Sequence, residues 1–86
     1  MNILWDEPKR AANLEKHGID FADIDESFFA YAIVRPAKHG RYSAIGRIAG
    51  IVTVVFVTVI FAAVGTEAIS IISARPASVK ERKILS

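Results

Sequence analysis

A long uncharged stretch in the second half of the chain constrains the fold more than any other feature. Residues 48–66 include no charged side chain, and residues 51–64 consist almost entirely of Val, Ile, Phe, Thr and Ala. This length suits either a buried strand or a membrane-spanning helix. β-branched and aromatic residues favour a pleated strand, and Gly50 and Gly65 supply turn residues at both ends. We therefore predict a buried central strand over residues 51–61, with a membrane span as the alternative.

The composition limits the size of the protein and its chemistry. The chain has 86 residues, so one domain covering residues 1–86 is predicted. It has no cysteine and only two histidines, which lie far apart, so neither a metal site nor a cofactor is expected. Residues 1–40 hold five Lys/Arg and seven Asp/Glu (−2), and residues 41–86 hold six and two (+4). A basic half of this kind suits a polyanionic ligand.

Capping and turn residues divide the rest of the chain into short elements. Asp6 and Gly18 bound a first helix that ends at Lys16 or His17, and Asp20 begins a second helix. The predicted strands are residues 2–5, 32–34, 42–48, 51–61 and 69–74, and a short basic helix starts at residues 76–78. We expect an α+β fold in which two N-terminal helices and a C-terminal helix pack on one side of a mostly antiparallel sheet.

The two N-terminal helices are predicted to have opposite characters. At about 100° per residue, one face of the first helix carries Lys9, Asn13, Lys16 and His17. Ala11 and Leu14 lie on the other face and are predicted to meet the sheet. The second helix presents an apolar face of Phe21, Ile24, Phe28 and Phe29, while Asp23, Asp25 and Glu26 face water. The first helix is therefore expected to offer a basic ridge to solvent.

Several basic and hydroxyl side chains could carry chemistry on a phosphodiester. These candidates are Lys9, Lys16, His17, Arg47, Ser73, Arg75, Lys80 and Arg82. Histidine can transfer protons near neutral pH, and arginine binds phosphate oxygens through paired donors. Each candidate also has a purely structural interpretation: His17 stabilises a helix C-terminus, Arg47 and Arg75 form surface ion pairs, and the lysines are a solvated face.

The N-terminal segment and two later blocks resemble a known family when taken together. The segment Trp5–Phe21 is similar to the BrnT toxin signature W-D-x-x-K-x-x-x-N-x-x-K-H-G-[VI]-x-F. Gly46-Arg47 resembles the G-R strand end of that family, and residues 71–82 resemble its I-I-S-A-R-x-A-x-x-x-E-R close. The similarity runs almost from end to end and is weakest in the middle.

The resemblance implies a RelE-like fold and a cytoplasmic ribonuclease that cleaves RNA without a metal ion and blocks translation. It implies a BrnA-type antitoxin that neutralises the toxin. Operator DNA is then bound only through the antitoxin, and two toxin–antitoxin pairs can form a dimer. At matching positions it suggests His17, Arg47 and Arg75 as catalytic residues. Lys16, Ser73 and Arg82, together with the adjacent Lys80, are expected to bind RNA.

The chain departs from the family pattern after its central strand. The family usually has an arginine soon after a threonine there, whereas no arginine follows Thr58 until Arg75. Ser70 also stands where the family often has a basic residue. An alternative is therefore a degenerate toxin that binds antitoxin without cleaving RNA, with the apolar hairpin facing the partner.

Overall fold

The computed structural model describes residues 1–50 and 53–85, which form an α+β fold with a five-stranded sheet and three α-helices. The strands are β1 Asn2–Trp5, β2 Ile33–Pro36, β3 Tyr42–Ala49, β4 Val54–Val64 and β5 Ala68–Pro76. The helices are α1 Glu7–His17, α2 Glu26–Tyr31 and α3 Val79–Leu85, with 3₁₀ turns at Phe21–Asp23 and Lys38–Gly40.

The sheet is mixed rather than purely antiparallel. Its strand order is β1-β5-β4-β3-β2, and the pairs from β2 to β5 form an antiparallel meander, consistent with the predicted mostly antiparallel sheet. β1 joins the edge of this meander in parallel with β5, so that Trp5 pairs with Ile71. The long connection from β1 back to the sheet permits this parallel pairing, because a parallel neighbour cannot be reached by a tight turn.

The uncharged stretch forms the central strand, as predicted. β4 lies between β3 and β5, and Val57, Thr58 and Val59 are fully buried in it. The strand begins at Val54 and continues to Val64, past the connection predicted from Ala62; residues 51 and 52 lie outside the described residues. Within residues 1–50 and 53–85, no helix has both the length and the apolar character needed to cross a bilayer.

Helix α1 has the predicted ends but the opposite orientation. The Asp6 side chain accepts a hydrogen bond from Lys9 N, and Gly18 ends the helix at φ 71°, a left-handed conformation that glycine adopts without strain. Leu14, predicted to meet the sheet, is 41% exposed, whereas Asn13 is only 7% exposed. The helical wheel grouped the residues correctly, but the prediction that Ala11 and Leu14 face the sheet was wrong.

The second predicted helix is broken into two pieces. Asp20 caps the 3₁₀ turn Phe21–Asp23 through Ala22 N, and Asp25 caps α2 through Phe28 N. Asp25, predicted to be a solvated helical residue, is therefore an N-cap with extended backbone. Two nearby aspartates each offer an acceptor to free N–H groups, which favours two short helices over one continuous helix. The apolar face is still buried, with Phe21, Ile24 and Phe28 at most 4% exposed.

Helices cover both faces of the sheet, which corrects the prediction that they lie on one side. Ala44, Val59 and Ala74 are neighbours across three strands and belong to the core beneath α1 and α2. The adjacent row of Ile45, Thr58 and Arg75 points to the opposite face, because successive strand residues alternate. α3 contacts β3 and joins Arg75 through an ion pair, so it lies on this second face.

Gly46 on β3 makes room for the buried ring of Phe28. A Cβ atom at this position would lie 2.6 Å from Phe28 Cε2, so we expect Gly46→Ala to destabilise the fold by about 1–3 kcal/mol through overpacking. Urea unfolding followed by circular dichroism measures this loss. The same substitution in a Phe28→Leu background provides the control, and an equal cost in both backgrounds would contradict the proposed clash.

Candidate functional site

The open edge of β5 forms the floor of the candidate site. β1 ends opposite Ile71, so residues 72–76 of β5 have no neighbouring strand on that side within the described residues. Ile60 pairs with Ser73 and Phe61 with Ile71, which makes Ile72 an extra residue in β5. A β-bulge of this kind, at the edge of a sheet, changes the direction in which side chains point. Ile72 and Ser73 both line a groove together with residues of α1.

Asn13 ties α1 to this edge in place of a strand. Its Nδ2 donates to the carbonyl oxygen of Ala74 at 2.9 Å, and its Oδ1 accepts from Ala74 N at 3.0 Å. Nδ2 also donates to the carbonyl oxygen of Ile19 at 3.0 Å, which closes the loop after the helix. One buried amide therefore satisfies three backbone groups that water does not reach.

A shallow groove of about 270 Å³ follows the contact between α1 and β5. It is lined by Lys9, Ala12, Asn13, Lys16, His17, Ile72 and Ser73. The two lysines are exposed, and His17 and Ser73 are half-buried. Three of the predicted site residues (Lys16, His17 and Ser73) thus meet in one place, because Asn13 turns the basic ridge of the helix toward the sheet edge.

Arg75 lies two residues beyond Ser73 on the same face of β5 and binds Glu81 on α3. Nη1 of Arg75 donates to Glu81 Oε1 at 2.7 Å, and Nη2 donates to Oε2 at 3.0 Å. The Arg75 side chain is 42% exposed and that of Glu81 is 19% exposed. Paired donors to a carboxylate are the strongest ion-pair geometry available to arginine, and the same fork geometry suits phosphate.

These contacts lower the pKa of the Glu81 carboxylate. Hydrogen bonds from Arg75 are the main cause of a pKa near 2, against an ordinary value of 4.5, and the Ser78 backbone N–H and the Thr58 hydroxyl act in the same direction. Partial burial opposes them. Thr58 Oγ1 is buried beneath this pair and has no hydrogen bond of standard geometry among the described residues.

The low pKa of Glu81 predicts a loss of stability in acid. A carboxylate whose pKa is depressed on folding stabilises the folded state above its unfolded pKa, and this contribution disappears as the pH falls. We expect the stability difference between the wild type and Glu81→Gln to be full at pH 7 and to shrink between pH 4.5 and about 2. Urea unfolding at several pH values measures it, with exposed Glu67→Gln as the control. A constant difference across this range would contradict the prediction.

Arg47 lies apart from the groove. It lines a separate pocket of about 410 Å³ with Phe28, Tyr31 and Val54, near the end of β3 and the start of β4. A neighbouring pocket places it beside Asp23 and Asp25. Since β3 is two strands from β5, Arg47 is about 10 Å from the Arg75 strand across the sheet. The structure therefore does not bring Arg47 into the groove that holds His17.

Lys80 and Arg82 lie on α3, and both are exposed. Neither lines the groove between α1 and β5. They are joined to the site only through the helix that carries Glu81. Of the seven predicted site residues, three line the groove, Arg75 lies on the same strand but points toward α3, and three lie elsewhere.

Two residues of the site, Asn13 and Glu81, were not predicted in their observed roles. Asn13 was predicted on the basic ridge, but its hydrogen bonds to Ala74 and Ile19 were not predicted. The sequence signal for this role is an uncharged amide on a helix face that otherwise carries lysines and a histidine. Glu81 was seen only as part of the E-R close. The pattern Ser78-x-x-Glu81 matches a capping box, which would have placed its carboxylate at the start of α3 near Arg75.

Comparisons with known proteins found a matching family model and a similar solved structure. Residues 5–81 match the family model described as the ribonuclease toxin BrnT of type II toxin–antitoxin systems. The chain is also similar to the ribonuclease toxin BrnT of Brucella abortus, known from a 1.1 Å crystal structure. The TM-score is 0.81 at 51% identity, covering 91% of this chain and 97% of that chain. No curated protein matches the chain.

Proposed function

Because the chain belongs to the family of BrnT ribonuclease toxins of type II toxin–antitoxin systems, we propose that it cleaves RNA without a metal ion until an antitoxin blocks it. In this proposal one RelE-like domain, residues 1–86, carries both the cleavage site and the antitoxin surface. RNA cleavage in the cytoplasm then stops translation.

The groove between α1 and β5 is the observation that supports RNA binding most directly. It aligns Lys9, Lys16 and His17 along a sheet edge that continues to Arg75. A row of cations beside backbone and hydroxyl groups suits a sugar–phosphate chain, which carries one negative charge per nucleotide. We assign Lys16 and Ser73 to the bound strand. Lys80 and Arg82 extend the basic surface onto α3.

His17 and Arg75 are the proposed reacting groups. The His17 imidazole accepts the proton of a ribose 2′-hydroxyl, whose oxygen attacks the adjacent phosphorus. The bond to the 5′-oxygen breaks, that oxygen takes up the proton, and the products are a 2′,3′-cyclic phosphate and a 5′-hydroxyl. Arg75 stabilises the added negative charge on the phosphorane. Arg47, two strands away, contacts a neighbouring phosphate in this scheme.

The antitoxin partner is proposed to cover the apolar surface near the end of β3 and the start of β4. Tyr31 is 80% exposed and Val54 is 47% exposed, and both line the pocket that also holds Phe28. Exposed apolar side chains in a cluster usually mark an interface. We propose a BrnA-type antitoxin here, with its DNA-binding end directed to the operator and with toxin–antitoxin pairs able to dimerise.

Cleavage of a labelled RNA by the purified, antitoxin-free protein in EDTA tests the proposed function. We expect cleavage in the chelator, complete inhibition by added antitoxin, and a loss of about 10²–10³-fold in Arg75→Ala. Arg35→Ala on the far edge strand is the matched control and should retain activity. Loss of cleavage in EDTA would exclude the metal-free mechanism. A folded protein that binds antitoxin but cleaves no RNA would identify a degenerate toxin.

A further inference from the structure

Glu81 is anchored more firmly than an ordinary surface carboxylate. Its Oε1 accepts from Ser78 N at 2.8 Å, while Ser78 Oγ accepts from Glu81 N at 3.2 Å. These reciprocal bonds form a capping box at the start of α3. Both oxygens also accept from Arg75, at 2.7 Å and 3.0 Å. The carboxylate is therefore held by the helix end and is available to hold another group in turn.

The contact with Glu81 uses only one edge of the Arg75 guanidinium. A guanidinium has five N–H groups in a rigid plane. Glu81 takes one from Nη1 and one from Nη2, and the Pro76 carbonyl lies 3.4 Å from Nη1. The Nε–H and the second N–H of Nη2 form the adjacent edge, which has no hydrogen-bond partner among residues 1–50 and 53–85. This edge presents two parallel donors.

We propose that Glu81 is a positioning residue for RNA cleavage, which holds Arg75 by its Nη1/Nη2 edge so that the Nε/Nη2 edge receives the reacting phosphate. The inference rests on the proposed ribonuclease function. Because the guanidinium is planar, fixing one edge fixes the direction of the other. The arginine is then already oriented toward the charge that develops on the phosphorane, so we place the benefit in the chemical step.

Steady-state kinetics of Glu81→Gln on a short labelled RNA provides the first test. Glutamine replaces one acceptor oxygen with a donor, so it cannot hold both Nη atoms. We expect kcat to fall on the order of 10–100-fold, the effect of a misplaced reacting group, while KM changes less than about threefold. The double variant Arg75→Ala/Glu81→Gln should lose no more than Arg75→Ala alone. A higher kcat in Glu81→Gln, or additive losses, would overturn the proposal.

Ser78→Ala is the matched control for damage to α3. It removes the hydroxyl of the capping box but keeps the carboxylate and its contact with Arg75. We expect Ser78→Ala to lower stability by about 1 kcal/mol and to leave kcat near the wild-type value. If both variants lose kcat equally at the same folded fraction, the role of Glu81 is structural only.

Guanidinium NMR separates the positioning role from the proposed function. In the wild type, the two Arg75 Nη groups should give separate signals because Glu81 slows rotation about the Nε–Cζ bond. They should average in Glu81→Gln. Averaged signals in the wild type would refute the positioning role even if RNA is cleaved. Separate signals in a wild type that cleaves no RNA would sustain the held arginine and refute the ribonuclease function.

Discussion

His17→Ala is expected to lower kcat for RNA cleavage by about 10²–10⁴-fold, the usual contribution of a positioned general acid or base. The imidazole lies at the last residue of α1, half-buried in the groove with Lys16 and Ser73. Within that groove it is the side chain best suited to transfer protons near neutral pH. Single-turnover cleavage in EDTA measures the change without interference from product release.

The second histidine supplies the control for this prediction. His39 is exposed in the turn Lys38–Gly40 and has a φ of 60°. His39→Asn keeps a residue type that tolerates this left-handed conformation, so we expect the fold and the rate to be retained. A rate for His17→Ala within about threefold of the wild type would remove His17 from the mechanism.

Asn13→Ala is expected to lower the free energy of unfolding by about 3 kcal/mol. The substitution leaves the N–H and carbonyl of Ala74 and the carbonyl of Ile19 without their partner, and each unsatisfied buried group costs about 1–3 kcal/mol. Water entry into the gap offsets part of this cost. In a domain of this size the loss corresponds to a Tm decrease of roughly 12–24 °C. Urea unfolding and calorimetry measure both quantities.

Leu14→Ala is the informative control because the helical wheel assigned Leu14 to the sheet. Leu14 is 41% exposed in the structure, so its truncation should cost less than about 1 kcal/mol. If Leu14→Ala proves more destabilising than Asn13→Ala, α1 faces the sheet with the side predicted from sequence. The pair therefore tests the orientation on which the groove depends.

Sequence patterns predicted the family, but they predicted the geometry of the site only in part. The segment Trp5–Phe21 placed His17 and Lys16 at the end of a helix, and both are there. Arg75 was predicted as a phosphate ligand, whereas its partner Glu81 was not identified, because a capping-box pattern places the carboxylate at a helix start without showing which strand residue it binds. Arg47 was grouped with His17 by motif alone, and the sheet order separates them.

The features that the sequence determined by itself depend on interactions between residues close together in the chain. Capping at Asp6 and Gly18 and the β-branched stretch that became β4 depend on residues within a few positions of one another. Tertiary structure decided which face of α1 is buried and which strand accompanies β1. Asn13 bonds Ala74 at a separation of 61 residues, and this contact outweighs the amphipathic pattern of the helix. Periodicity tells which residues share a face, but only packing tells which face the rest of the chain covers.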